Sequence, residues 1–184
     1  YAVSPTQINF YVPAGLQSGP AEVIVTSLDG RVARGTATMA PLVPAMFTLD
    51  GKGTGAGAVL NAATYRPGPF DVTTQENLST DKRTRLLIFA TGISSGAANT
   101  NLSNDLSTRS GVIANLAESV VVKARTSGGV THQLAVEFAG AQSNLAGLDQ
   151  ISVVLPSSLR GAGNLTLSLT IGGQSSNEVT VSIR

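Results

Sequence analysis

A chain of 184 residues with 42% apolar content can bury one or two cores, but only 12% of its residues are charged, about half of the ~25% usual in globular proteins. Twelve basic and eleven acidic residues leave a net charge of +1 with no run of like charge, which argues against nucleic acid or an anionic membrane as partner. Without cysteine there is no disulfide or thiolate chemistry, and without an apolar run near ~18 residues nothing reads as a membrane span.

The first predicted strand runs from Ile8 to Val12 and stops at Pro13, which has no N–H to give a ladder. Val23–Thr26 is a second strand, Leu28-Asp29-Gly30 a turn and Val32–Met39 a third strand. Pro41-Leu42-Val43-Pro44 reads as a hinge, because two nearby prolines stiffen the chain and forbid ladder donation. It separates a unit of residues 1–41 from one of residues 42–184. Met46–Leu49 begins the second unit, Asp50–Gly57 is a glycine loop and Ala58–Ala62 a short strand. Residues 64–84 read as a surface loop. Leu86–Ala90 is continuously apolar, the mark of a central strand buried on both faces. Residues 92–116 read as a long loop with a helical turn near Val112–Leu116. Val120–Arg125 and His132–Phe138 flank Ser127-Gly128-Gly129, a hairpin signal. After a loop over 140–147, the stretches Ile151–Leu155, Leu165–Ile171 and Val179–Ile183 alternate with the period of half-buried strands.

The stretch Gln150–Leu159 repeats Gln7–Leu16, with Gln, Ile, Pro and Leu at matching positions. A small-residue turn and a second apolar run follow each copy, so the chain holds two related units. The expected fold is all-β: one complete immunoglobulin-like β-sandwich over 42–184, and the last three strands of a second over 1–41. With 20 Gly and 4% aromatics, the composition is that of an exported β-protein with an aliphatic core. A three-strand set buries one face only and needs a cover. Ile8, Phe10, Val12, Val23, Val25 and Val32 are expected to form that face, a subunit or domain interface. Leaving it wet costs several kcal/mol at ~25 cal/mol per Å². The cover would be the second unit, upstream domains of a longer chain, since residue 1 reads as mid-domain, or strands added by copies of the chain itself. Head-to-tail addition that does not close makes a filament.

The motifs Val3-Ser4-Pro5-Thr6-Gln7-Ile8-Asn9-Phe10, Pro44-Ala45-Met46-Phe47-Thr48, Ala90-Thr91-Gly92-Ile93, Phe138-Ala139-Gly140, Val154-Leu155-Pro156 and Ser176-Asn177-Glu178-Val179 come in an order that spans nearly the whole chain. In these the chain resembles the uncharacterised C-terminal domain family of large secreted proteins of Solibacter-type acidobacteria. It departs from that pattern at Ala45-Met46, where the family carries Gly, and at Ser94, where a second Gly follows. The resemblance implies immunoglobulin-like sandwiches, export and no established activity. It brings no functional residues with it.

Chemical motifs are few. Gly92-Ile93-Ser94-Ser95-Gly96 fits a nucleophile elbow after an apolar strand, with Ser94 as nucleophile, His132 as base and Asp105 as orienter of a serine hydrolase. Ala97-Ala98-Asn99-Thr100-Asn101 is a poor helix start for such an elbow, and a glycine-serine turn explains it better. Gly53-Thr54-Gly55-Ala56-Gly57-Ala58 matches a dinucleotide fingerprint but lacks the strand–turn–helix setting. Asp50, Asn99, Asn101, Asn104 and Asp105 offer oxygen ligands for calcium, at a spacing that fits no EF-hand loop. One His and no Cys make zinc a worse guess. Lys82-Arg83-Thr84-Arg85 reads as a solvated approach to a strand. Asn77-Leu78-Ser79, Asn101-Leu102-Ser103 and Asn164-Leu165-Thr166 are glycosylation sequons, frequent by chance in such a composition. The expectation is therefore a non-catalytic extracellular or cell-surface protein, structural or adhesive, without cofactor. The alternative is an accessory module that binds carbohydrate or protein; the lack of Trp argues against a sugar-stacking platform.

Overall fold

The structure, a computed structural model, describes residues 2–13, 16–94, 115–142, 145 and 147–184. The chain divides into two compact units, Tyr1–Pro41 and Leu42–Arg184. Both are built from antiparallel β-structure, and the fold is all-β.

Unit 1 contains two separate two-stranded ribbons. β1 (Ala2–Val3) pairs with β2 (Ile8–Asn9) across a tight turn. Ser4 closes that turn: its N–H donates to the Gln7 carbonyl at 2.8 Å, and its hydroxyl accepts the Gln7 N–H at 3.0 Å. Pro5 is the second turn residue, where its fixed φ suits the bend. β3 (Gly19–Thr26) and β4 (Val32–Met39) form the second ribbon. The expected three-strand set is thus not one sheet. Phe10, Tyr11 and Val12 join no described strand, although their composition suits one. Strand propensity measures fit to a pleated surface; a ladder also needs a partner backbone.

Unit 2 is a sandwich-like sheet system. One half holds β5 (Ala45–Met46), β6 (Val59–Asn61), β7 (Arg85–Thr91) and β10 (Asp149–Val154). The other holds β8 (Val120–Thr126), β11 (Gly163–Ile171), β12 (Gln174–Ser175) and β13 (Val179–Ile183). β9 (Thr131–Ala141) belongs to both. Its first residues pair with β8, and its later residues pair with β10. A strand that changes sheets in this way makes a corner of the sandwich.

The opposite side closes by a different route. Thr48 and Gly57 form an antiparallel bridge, and the 55–57 segment then runs parallel to β13, with the Thr180 N–H donating to the Gly55 carbonyl at 2.7 Å. Further along, the Phe70 N–H donates to the Ser182 carbonyl at 2.8 Å. Residues 64–84 are therefore not a plain surface loop. Phe70 and Val72 lie in the core, and Thr74 and Thr84 are buried with their hydroxyls 2.7 Å apart. The Thr84 hydroxyl donates on to the Asp71 carbonyl at 2.6 Å, and Asn61 donates to Thr74 at 2.7 Å. A polar chain with every member bonded can be buried without penalty from orphaned groups.

The core is aliphatic, and its rows run across the ladders. Val59, Ile88, Ile151 and Ala139 are direct neighbours on four strands, all buried. Leu134, Val122 and Leu169 form such a row in the other half. The alternation of Leu165, Leu167, Leu169 and Ile171 with polar residues gives β11 one fully buried face. Each such side chain contributes roughly 1.5–3 kcal/mol on burial.

Candidate interaction surface

The turn joining β3 to β4 sets what each strand presents. The Ser27 N–H donates to the Arg31 carbonyl and the Gly30 N–H to the Ser27 carbonyl, both at 2.9 Å. Gly30 takes φ +82°, as the left-handed position of a three-residue loop requires. Asp29 steadies the turn. It accepts from the Ser27 hydroxyl and from Arg31 Nε, and these two bonds, the hydroxyl first, hold its carboxyl below the usual carboxylate range.

The resulting register pairs Val23 with Gly35, Val25 with Ala33 and Thr26 with Val32. Directly paired residues share a face, and faces alternate along a strand. Val23 and Val25 therefore lie with Ala21, Ala33, Gly35 and Ala37. Val32 lies on the other face, with Ile24, Arg34 and Thr36. The expected single face of Ile8, Phe10, Val12, Val23, Val25 and Val32 is corrected on this point: the turn fixes the pairing, and Val32 falls on the wrong parity. Ile8 sits in β2, while Phe10 and Val12 belong to neither ribbon. Val23 is half-buried, and the other five are exposed, Phe10 at 59% and Val32 at 53%.

The two outer edges of the β3–β4 ribbon differ. Counting from the Ser27–Arg31 bond, the hydrogen-bonded pairs are Val25–Ala33, Val23–Gly35 and Ala21–Ala37. The intervening residues turn their backbone groups outward. On β3 these are Pro20, Glu22, Ile24 and Thr26; on β4 they are Val32, Arg34, Thr36 and Thr38. Pro20 has no N–H, so the β3 edge is broken by a residue that hinders strand pairing. The β4 edge has no proline and no bulge, and residues 32–38 are all exposed. Its one charge is drawn back over the ribbon, where Arg34 donates to Glu22 at 2.8 Å. No other described strand pairs with either edge.

The described candidate residues of unit 2 lie in a turn and on a strand. Ser94 follows β7, in a turn where Gly92 has φ +76° and a Cβ would lie 2.0 Å from the Val43 carbonyl oxygen. Asp149, buried at the start of β10, holds that turn: its Oδ2 accepts the Ile93 N–H at 2.9 Å and the Ser94 N–H at 3.3 Å. His132 lies near the other end of β9, opposite Ala124. β9 meets the start of β10 only at Ala141, nine residues further on, up to about 30 Å of extended chain. The structure does not bring Ser94 and His132 together. Asp105, Asn99, Asn101 and Asn104 lie outside the described residues, as do the sequon at Asn101 and residues 112–114 of the turn expected near Val112–Leu116; a 3-10 turn follows at Ala117–Ser119.

The glycine loop is a hairpin rather than a dinucleotide cradle, and a strand follows it. Asp50 turns its carboxylate onto the Lys52 N–H at 3.1 Å; that bond first, then the Thr48 hydroxyl, keeps its proton affinity low. Among the described residues no three His, Asp or Glu side chains converge. Sequence reasoning passed over Asn177 as anything but a motif letter. Its amide donates to the carbonyls of Met46 at 2.9 Å and Gly53 at 2.7 Å and accepts the Met46 N–H at 2.7 Å. Asn177 thus ties β5 and the glycine hairpin to the segment before β13. No protein-family model, curated protein or solved structure matches the chain.

Proposed function

We propose that the chain is a non-catalytic extracellular protein, structural or adhesive, whose N-terminal unit is completed by β-strands of another copy. One observation supports this above others: unit 1 is a pair of two-stranded ribbons with exposed apolar residues and an unguarded strand edge. Two strands alone are marginal in water, and three or more with a covered face are needed for independent stability. Exposed edges pair with other chains unless something prevents it. The low charge, the Gly-rich composition and the resemblance to a secreted acidobacterial domain family support an exported setting. Contact repeated head to tail would build a surface filament; contact about a two-fold would close a pair.

Sedimentation velocity over a wide concentration range tests the reading. The expected result is mass above the 18.7 kDa monomer, increasing with concentration. A monomer throughout would overturn it.

A further inference from the structure

We propose that the docking edge is the outer edge of β4, and that its occupant is β4 of a second copy, antiparallel about a two-fold axis. This rests on the reading of unit 1 as half of a shared sheet, and narrows it to one edge, one partner and a closed pair.

The choice of edge follows from backbone donors. An added strand needs alternating N–H and C=O groups along its length. The β4 edge offers them at Val32, Arg34, Thr36 and Thr38, whereas the β3 edge lacks the Pro20 donor. With one competent edge per copy, two copies can share only like edges, and such a contact is self-complementary and closed.

The register follows from the side chains. A two-fold normal to the sheet keeps each face and places one residue opposite itself. Centred on Gly35, it sets Ala33 against Ala37, Arg34 against Thr36 and Val32 against Thr38. No like charges sit directly opposite each other, because each Arg34 faces a threonine and is already bound to its own Glu22. Centring on Arg34 would set two guanidinium groups against each other. Glycine inside a strand weakens it and often marks close approach of another backbone. Nothing among the described residues makes that approach: a Cβ at Gly35 would meet no heavy atom within 4 Å, and its φ is not in the left-handed region. The product is a four-stranded sheet, β3-β4-β4-β3, in which the Val23 and Val25 faces of both copies are continuous.

Two variants of the full chain test this. Thr36→Pro removes an outward N–H without touching the bonds between β3 and β4. Two backbone hydrogen bonds are lost per pair, and the expected dimer weakens roughly ten-fold or more. Ile24→Pro, the matching change on the β3 edge, should leave the dimer unchanged. Because the chain has no cysteine, Gly35→Cys reports directly on the axis. Under mild oxidation it should give a disulfide-linked dimer at low concentration, and Thr38→Cys should not. Assemblies that survive Thr36→Pro, together with no cross-link at position 35, would overturn this edge while leaving assembly itself standing. A wild-type chain that stays monomeric would overturn both.

Discussion

Two polar side chains, the buried Asp149 and the half-buried Asn177, organise unit 2, and neither stands out by hydropathy. Asp149 is 2% exposed and receives two backbone N–H groups from the turn after β7. Its removal strands the N–H of Ile93, which is fully buried. Asp149→Ala should lower unfolding stability by about 2–3 kcal/mol, while Asp149→Asn, which keeps an acceptor oxygen, should lose less. Denaturant midpoints of the two variants check this; equal losses would mean that the turn does not depend on the acceptor. Asn177 acts in the same manner on Met46 and Gly53. Such residues are hard to read from sequence because their partners are backbone groups far along the chain, 55 and 56 positions away for Asp149 and more than 120 for Asn177. Val32 illustrates a second limit. Its apolar character was legible, but which face it takes depends on the pairing set by the turn at Ser27–Arg31.

Strands with strict alternation were legible at the level of the element. β11 and β13 bury the residues that period 2 selects. β9 was legible only as a strand, because nothing in its composition tells that one end serves one sheet and the other end another. The crossover is marked by a register shift beside Ser152 and Val153, where Phe138 and Val136 are the partners and Glu137 is the extra residue. Glu137 meets Arg85 at 2.9 Å, and Arg85 also bonds Asp81 at 3.0 Å, so the bulge, β7 and the approach to β7 share one ion cluster. Lys82-Arg83-Thr84-Arg85 is therefore not simply solvated. Arg83 and Thr84 divide the work, Arg83 binding Asp81 at 2.7 Å and Thr84 turning into the core. The Arg83 side chain, above all, pulls the Asp81 carboxyl well below the usual carboxylate range. A carboxyl depressed in the folded state adds stability above its unfolded pKa, and that stability is lost as pH falls through the folded value. Stability should therefore decline on acidification from about pH 4 downward. Asp81→Asn should flatten this part of the profile. Thermal melts between pH 2 and 6 compare the two; parallel profiles would exclude Asp81 as a contributor.

The two units contrast at the scale of the molecule. Unit 2 closes its own sheets, through β9 on one side and through the 55–57 and 70 segments beside β13 on the other. Closure of this kind removes free edges. The all-β class was legible from alternation and turn residues. The closure was not, because it depends on short bridges at Thr48, Gly57 and Phe70 that carry no periodic signal. Unit 1 has no such closure among its described residues, and its ribbon keeps both edges free. That contrast is the ground for proposing assembly through unit 1.

Amide hydrogen exchange read at single residues of β4, at low and high protein concentration, tests this most directly. The amides of Ala33, Gly35 and Ala37 face β3 and should show the same protection throughout. Those of Arg34, Thr36 and Thr38 should be open when dilute and become protected as concentration rises. Exchange at those three positions at the rate of an unpaired chain, however concentrated the sample, would contradict completion of the ribbon by a second copy.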